Sequence, residues 1–270
     1  MNKSSLSALI LAVFVSLMTG CSGYDKIIKA TDYDYRYELA KTLYVQGKYS
    51  NAASIIEGCV VMFRGKAVAE EAIFMLSECY YKMNDYLSAS QYYKTYYRTF
   101  PNGSLNERAR FMSGKCLYYD TPDPKLDATS TFGAIDELQL FIETYPLSQY
   151  RKEASDMVYE MYDRLAEKEL KSATLYLNLG NYLGNNYRSA IITAQNALLD
   201  YPYTRYREEI SFLILRSKFK MAEESVREKK DERYRETIDE YYAFKNDFPE
   251  SGYLKEVEKI FQTSTKKVNN

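Results

Sequence analysis

Small and aromatic residues recur along the chain at a spacing typical of paired helices. A Tyr-x-x-Ala pair, or a close variant of it, is followed by ten residues and then an aromatic residue, in five successive copies. The pairs are Tyr49/Ala52, Tyr86/Ala89, Thr131/Ala134, Tyr187/Ala190 and Tyr234/Thr237. Residues three apart share one helix face, so a small side chain beside a ring lets a partner helix approach closely. The pattern therefore predicts five helical hairpins.

An aromatic residue closes each copy and predicts where the second helix of each hairpin ends. Pro follows it in four copies, and the residue before a proline is biased out of the α region. In the first copy Arg64 follows Phe63 instead. The arrangement resembles the tetratricopeptide repeat, whose hairpins bury a core only by stacking on their neighbours. We therefore expect an all-α, tetratricopeptide-like helical-hairpin solenoid of about five repeats.

The predicted domain covers 32–264, with repeats at about 32–66, 67–103, 104–148, 149–204 and 205–252 and a flexible tail at 265–270. Uneven repeat lengths indicate three insertions. Residues 120–130 predict a turn-rich loop inside the third hairpin, and 223–232 a charged helical extension of the last one. The stretch from 151 to about 181 contains no Pro, and its first Gly is Gly180, so it predicts one long helix or two abutting ones.

The N-terminal residues 1–20 have the features of a signal peptide. Lys3 precedes an apolar stretch, Leu6–Met18, which is too short to span a bilayer comfortably. The stretch ends in Thr19-Gly20-Cys21, which resembles a lipoprotein cleavage box, where the cysteine becomes the lipid-modified first residue. We expect palmitate and other acyl chains at Cys21, followed by a lipid-anchored linker over 21–31. An ordinary secretory signal with an incidental cysteine is the alternative.

The residue after Cys21 bears on where the anchored protein goes. Ser22, rather than Asp, stands there, which by resemblance to known sorting rules favours the outer membrane. No acidic run follows, and such runs mark surface export in some lineages. We therefore expect a lipid-anchored outer-membrane protein on the periplasmic face.

Composition favours a binding protein over an enzyme. The chain contains no His, which removes the commonest general base and metal ligand, and it contains no CxxC motif. A net charge of −1 gives no basic surplus for nucleic acid. Its many carboxylates alternate with Lys and Arg as on solvated helix faces. We expect no catalytic residue, no metal, no nucleic-acid partner and no cofactor beyond the lipid at Cys21.

Three further cysteines raise the question of disulfides, because export exposes a chain to oxidants. They are Cys59, Cys79 and Cys116. Cys79 and Cys116 occupy equivalent repeat positions, which stacked hairpins hold about 10 Å apart. Since a disulfide tolerates at most about 7 Å between Cα atoms, we expect three buried free thiols.

Tyrosine is unusually abundant, with 29 residues, several of them in adjacent pairs. In pairs such as Tyr80-Tyr81 and Tyr96-Tyr97, one ring can face the core while the other points elsewhere. The outward rings can be ordinary surface tyrosines, or they can line a face that grips an extended peptide. On the second interpretation, Tyr81 and Tyr97 are candidate partner contacts.

The segment from Tyr145 to Thr204 carries the most specific family resemblance. It contains in order Tyr145-Pro-Leu-Ser-Gln-Tyr, Arg164-Leu-Ala-Glu-Lys-Glu-Leu, Asn186-Tyr-Arg-Ser-Ala190 and Asp200-Tyr-Pro-Tyr-Thr204. Together with the lipoprotein signal and the five hairpins, this order resembles the BamD family of outer-membrane assembly lipoproteins. The loop 120–130 and the stretched last repeat depart from the family pattern.

The resemblance implies a non-catalytic scaffold subunit of the outer-membrane β-barrel assembly machinery. Such a subunit docks on periplasmic domains of the barrel-forming BamA subunit and helps to receive unfolded outer-membrane proteins through its N-terminal repeats. In the family the C-terminal repeats carry the BamA contact. The family's critical basic residue in these repeats has no clear match in this chain. Arg205 and Arg207 lie next to the expected position and are candidate partner contacts.

Two other functions fit the same residues. A periplasmic tetratricopeptide lipoprotein that acts as an adaptor for peptidoglycan or cell-division proteins would share the fold and differ in its partner. A carboxylate-based glycan hydrolase on a helical scaffold would need two carboxyl groups about 5 to 9 Å apart across a cleft.

Overall fold

The computed structural model describes residues 32–123, 127–182 and 184–268, and in these ranges it contains eleven α-helices and no strand. The helices are α1 Tyr33–Val45, α2 Tyr49–Val60, α3 Val68–Lys82, α4 Tyr86–Thr99, α5 Asn106–Tyr119, α6 Thr129–Thr144, α7 Arg151–Leu179, α8 Asn186–Asp200, α9 Arg207–Glu223, α10 Arg227–Asp247 and α11 Leu254–Val268. A short 3-10 turn, Val61–Phe63, follows α2. Consecutive helices pair as hairpins, which confirms the predicted all-α, tetratricopeptide-like class.

Helix ends resolve the three insertions that repeat length indicated. The long stretch is one helix, α7, and it ends at Gly180, whose positive φ of 56° suits glycine. α5 ends at Tyr119 and α6 begins at Thr129, and the described residues between them are not helical, in agreement with the predicted loop. The stretch 223–232 differs from the prediction, because α9 ends at Glu223 and an extended Val226 precedes α10. α11 also continues to Val268, into the segment predicted as a tail.

The small residues of the repeated pattern lie where the hairpins need close contact. All five have no exposed surface: Ala52, Ala89, Ala134, Ala190 and Thr237. A side chain of this size leaves room for the facing backbone. The burial of all five therefore accounts for the close helix pairing that the spacing predicted.

The chain divides into two compact units, one of residues up to Thr121 together with Asp136–Ala154, the other of Pro122–Ile135 together with residues from Ser155 on. In the first unit, Tyr37, Ile56, Phe63 and Leu76 belong to a core cluster built from α1, α2 and α3. In the second, α7 and α8 meet over a run of buried alanines: Ala166, Ala173, Ala190, Ala194 and Ala197.

The three cysteines beyond the signal sequence are buried and unpaired, as expected. Burial raises the pKa of the Cys79 and Cys116 thiols to about 12, and it raises the pKa of Cys59 as well. Since the thiolate is the reactive form, all three are unreactive at neutral pH while the protein is folded.

Tyrosine hydroxyls in the first unit bind carboxylates on neighbouring helices. Tyr93, which is fully buried, donates to Glu78 Oε1 at 2.6 Å, and Arg108 donates to the same oxygen at 3.0 Å. Tyr80 and Tyr92 both donate to Glu57 Oε1, at 2.6 and 2.9 Å. Much of the tyrosine content is therefore structural: the rings pack in or against the core while their hydroxyls join neighbouring helices, and those of Tyr80 and Tyr92 join neighbouring hairpins.

Candidate functional site

The segment after α8 is shaped by its own hydrogen bonds. The amide of Tyr201 donates to the carbonyl of Ala197 at 2.9 Å, and Pro202 then prevents the helix from continuing. Thr204 is buried, and its Oγ1 accepts from the amide of Tyr206 at 3.3 Å, which begins the turn into α9. The segment is therefore held in place without any partner.

A carboxylate on α7 fixes the same segment to its own hairpin. Asp163 Oδ1 accepts from Thr204 Oγ1 at 2.8 Å and from the amide of Arg205 at 2.9 Å. Its other oxygen, Oδ2, lies 3.6 Å from Arg205 Nε. Asp163 thus has two good hydrogen bonds that do not depend on the Arg205 side chain.

An open pocket of about 540 Å³ lies between α7 and this segment. Its lining, called here the Tyr203 pocket, is mostly aromatic: Tyr159, Tyr162, Asp163, Asp200, Tyr201, Pro202, Tyr203 and Thr204. Tyr203 is 88% exposed and Tyr159 is also exposed, while the rings of Tyr162 and Tyr201 pack 5.9 Å apart. An aromatic pocket with polar hydroxyl tips suits the binding of a protein partner.

Both predicted arginines lie beside the Tyr203 pocket, at the entrance to α9. The Arg205 side chain is exposed, and its guanidinium lies 5.1 Å from the Tyr206 ring centroid. Arg207 donates from Nη1 to the carbonyl of Pro202 at 3.2 Å and from Nη2 to Asp247 at 3.3 Å. The structure brings the two together at one surface, with Arg205 the freer of the two cations.

The two predicted tyrosines lie at opposite ends of the second hairpin. Tyr97 is only 6% exposed and donates to Glu137 Oε1 at 2.7 Å, so it serves the core rather than an exposed surface. Burial, with a smaller effect from Glu137, raises its pKa to about 12. Tyr81 is half-buried in a tyrosine cluster, 5.9 Å from the Tyr86 ring. Tyr86 in turn lies 5.1 Å from Tyr119, which is exposed.

Sequence reasoning did not single out Tyr159, Tyr162 or Tyr203. One available signal was Tyr203 itself, an extra aromatic residue between Pro202 and Thr204 where the third hairpin has Leu147. No comparable signal exists for the two α7 tyrosines, because only the folded hairpin brings them to the pocket. The predicted lipid-attachment residue, Cys21, lies outside the described residues and stays a prediction.

The described part of the chain shows neither a metal-binding cluster nor a membrane-spanning helix. No group of three or more His, Cys, Asp or Glu residues there could hold a metal ion. Within the same ranges, no helix has the length and apolar character needed to cross a bilayer.

The chain is similar both to a known protein family and to a curated relative. A family model described as "YfiO: Outer membrane lipoprotein" matches residues 30–184, which is more than half of the chain. The outer membrane protein assembly factor BamD of Haemophilus influenzae is 23% identical over 230 residues, covering 80% of this chain and 84% of that protein. Both agree with the resemblance carried by the segment from Tyr145 to Thr204. The chain therefore belongs to the YfiO family of outer-membrane lipoproteins.

Proposed function

We propose that this protein is a non-catalytic scaffold subunit of the outer-membrane β-barrel assembly machinery. It binds a BamA-like barrel subunit and assists the insertion of unfolded outer-membrane proteins. The similar Haemophilus protein, which is named as an assembly factor, supports this function, as does a fold made of helical hairpins. The absence of His from the sequence supports a binding role over a catalytic one.

The observation that carries the proposal is the Tyr203 pocket with Arg205 at its edge. Tyr and Arg are enriched among the residues that dominate binding energy in protein interfaces. Here two exposed tyrosines flank an aromatic recess, and an exposed guanidinium lies next to them. The complementary surface would carry an apolar or aromatic side chain for the recess and a carboxylate for Arg205.

Releasing Arg205 to a partner costs the folded chain little. Its pair with Asp163 is long, at 3.6 Å, and its guanidinium is exposed to solvent, so the pair contributes about 0–1 kcal/mol. Asp163 would keep its hydrogen bonds from Thr204 Oγ1 and from the Arg205 amide. A partner carboxylate could therefore replace Asp163 as the counter-ion without disturbing the segment that shapes the pocket.

Co-purification from membranes in mild detergent tests both the partner and the site. We expect the native protein to recover a large barrel protein with periplasmic repeat domains. Tyr203→Ala and Arg205→Glu should each lower that recovery by about tenfold or more, since each removes a central contact. Leu147→Ala is the matched control: Leu147 is 98% exposed after the corresponding Pro of the third hairpin, and its loss should leave recovery unchanged.

Two results would contradict the proposal at different levels. Full recovery of the barrel subunit by both variants would remove the Tyr203 pocket as the docking site. Recovery of peptidoglycan enzymes or division proteins without a barrel subunit would replace the assembly function with the adaptor function.

A further inference from the structure

Two exposed apolar residues form a short turn after α2. Val61 is 68% exposed and Met62 is 52% exposed, whereas the next residue, Phe63, has no exposed surface. Phe63 therefore fixes the turn to the core and leaves its two neighbours facing outward. Residues 61 and 62 are called here the apolar turn.

The apolar turn lies at the end of the first hairpin where the chain arrives from its N-terminus. α1 and α2 are antiparallel, so the end of α2 lies beside the beginning of α1. The Phe63 ring packs edge-on against Tyr37, near the start of α1, with 5.4 Å between centroids. The start of α1 and the apolar turn therefore lie at the same end of the first hairpin.

Cations follow directly on the apolar turn. Arg64 and Lys66 are both exposed, and Lys66 Nζ lies 5.8 Å from the centroid of the buried Phe63 ring. Two acids are also found at this end, Asp32 and Asp34. Asp32 caps α1 by accepting from the amide of Tyr35 at 3.0 Å. Apolar side chains flanked by exposed cations are the combination that binds a phospholipid interface.

Membership of an outer-membrane lipoprotein family provides a membrane within reach. The linker 22–31 spans at most about 35 Å when fully extended, so an anchor at Cys21 keeps α1 close to the bilayer. A tether of this length raises the effective concentration of the attached surface to the order of millimolar. Such a tether favours a weak contact that the same two side chains would not hold from free solution.

We propose that the apolar turn inserts into the interface of the phospholipid membrane that holds the anchor, with Arg64 and Lys66 against lipid phosphates. This contact would give the anchored domain a preferred orientation, with the first hairpin facing the bilayer. The inference rests on the lipoprotein family and not on the Tyr203 pocket, so either proposal can fail alone.

Depth-dependent quenching in vesicles tests the contact on the full lipidated chain. Met62→Cys and, separately, Val61→Cys would carry an environment-sensitive dye, because the native thiols are buried and resist labelling. Val45→Cys is the matched control: Val45 is 84% exposed but lies at the other end of α1, about 18 Å from Tyr33. Each labelled protein is reconstituted in phosphatidylethanolamine and phosphatidylglycerol vesicles containing spin-labelled lipids.

We expect quenching at positions 61 and 62 to exceed that at 45 by threefold or more, and Arg64→Glu with Lys66→Glu to reduce the excess. Equal quenching at 62 and 45, in vesicles that float with the protein attached, would overturn the inference. Dye self-quenching between copies without quenching by lipid would overturn it too, since the turn would then contact a second copy. Val61→Ser with Met62→Ser should leave co-purification of the barrel subunit unchanged, which separates this test from that of the proposed function.

Discussion

The ends of the third and fourth hairpins share one set of internal hydrogen bonds but differ in the side chain that packs beside it. In both, a hydroxyl near the Pro donates to a carboxylate on the hairpin's first helix: Ser148 to Glu107 at 2.5 Å, and Thr204 to Asp163 at 2.8 Å. In both, the same hydroxyl accepts from an amide two residues later. This link fixes the path of the chain from one hairpin into the next.

The difference lies one helical turn beyond the carboxylate. In the third hairpin that position is Phe111, and Tyr150 stacks on it with centroids 4.7 Å apart and ring planes 7° apart. The last hairpin repeats the stack with Phe212 and Tyr253, 4.2 Å apart. In the fourth hairpin the position is Glu167, which pairs with Lys171 and whose pKa that lysine lowers. The end of the fourth hairpin thus keeps the hydrogen-bonded link but lacks the stacked ring. The link alone supports the chain path there, and the missing ring leaves surface that a partner can contact.

Removing the ring of the third hairpin should produce the largest effect on stability. Phe111 is buried, so Phe111→Ala loses the stack and leaves a cavity, at a cost of about 3–5 kcal/mol. The matched change in the fourth hairpin, Glu167→Ala, removes a partly exposed pair with Lys171, worth about 0.3–0.5 kcal/mol, and a hydrogen bond with Tyr206, but no buried ring. Urea unfolding of both variants measures the contrast, and similar losses would show that the two ends are built alike after all.

Breaking the shared link should cost the two ends about the same. Thr204→Val and Ser148→Ala each remove one hydroxyl that both donates and accepts, and we expect each to lose about 1–2 kcal/mol of unfolding free energy. Denaturant midpoints, compared at equal slopes, measure the two losses. A loss confined to one end would refute the view that the link is a common structural element.

Installing a ring in the fourth hairpin tests whether its absence serves the partner. Glu167→Phe places a ring at the position that Phe111 holds in the third hairpin, and a new aromatic pair contributes about 0.5–1.5 kcal/mol. We expect thermal stability to be kept or slightly raised while co-purification of the barrel subunit falls. Unchanged recovery would mean that the stack and the docking surface are compatible.

A small effect at neutral pH should come from a tyrosine that ties the second hairpin to the third. Tyr97→Phe removes the hydrogen bond to Glu137 but leaves Lys94 paired with that carboxylate at 3.1 Å, so we expect a loss of about 0.5–1 kcal/mol. Burial raises the pKa of Tyr97 from 10.0 to about 12, because the fold favours the neutral phenol. Its contribution is complete below pH 10 and disappears as the pH rises through 12. Stability curves for native and variant protein should therefore converge over that range, and parallel curves would contradict this assignment.

Local spacing was enough to predict the hairpins, because a ring and a small residue three positions apart share one helix face whatever the rest of the fold does. The break between Glu223 and Arg227 was not predictable, because the charged residues around it are good helix formers and mask the turn. Sequence could not tell which of Tyr81 and Tyr97 faces outward, because that depends on which ring the neighbouring hairpin buries. The Tyr203 pocket depended on α7 reaching the end of α8, a long-range contact that no local pattern records.

The three unpaired thiols place folding in competition with oxidation while the protein matures. The secretory route takes Cys59, Cys79 and Cys116 past thiol oxidants, yet the finished fold holds all of them as buried thiols. An oxidant reaches a thiol only while its hairpin is open, and folding then withdraws the thiolate from further exchange. A disulfide found in any molecule of the population would therefore show that this copy was oxidised before its hairpins folded.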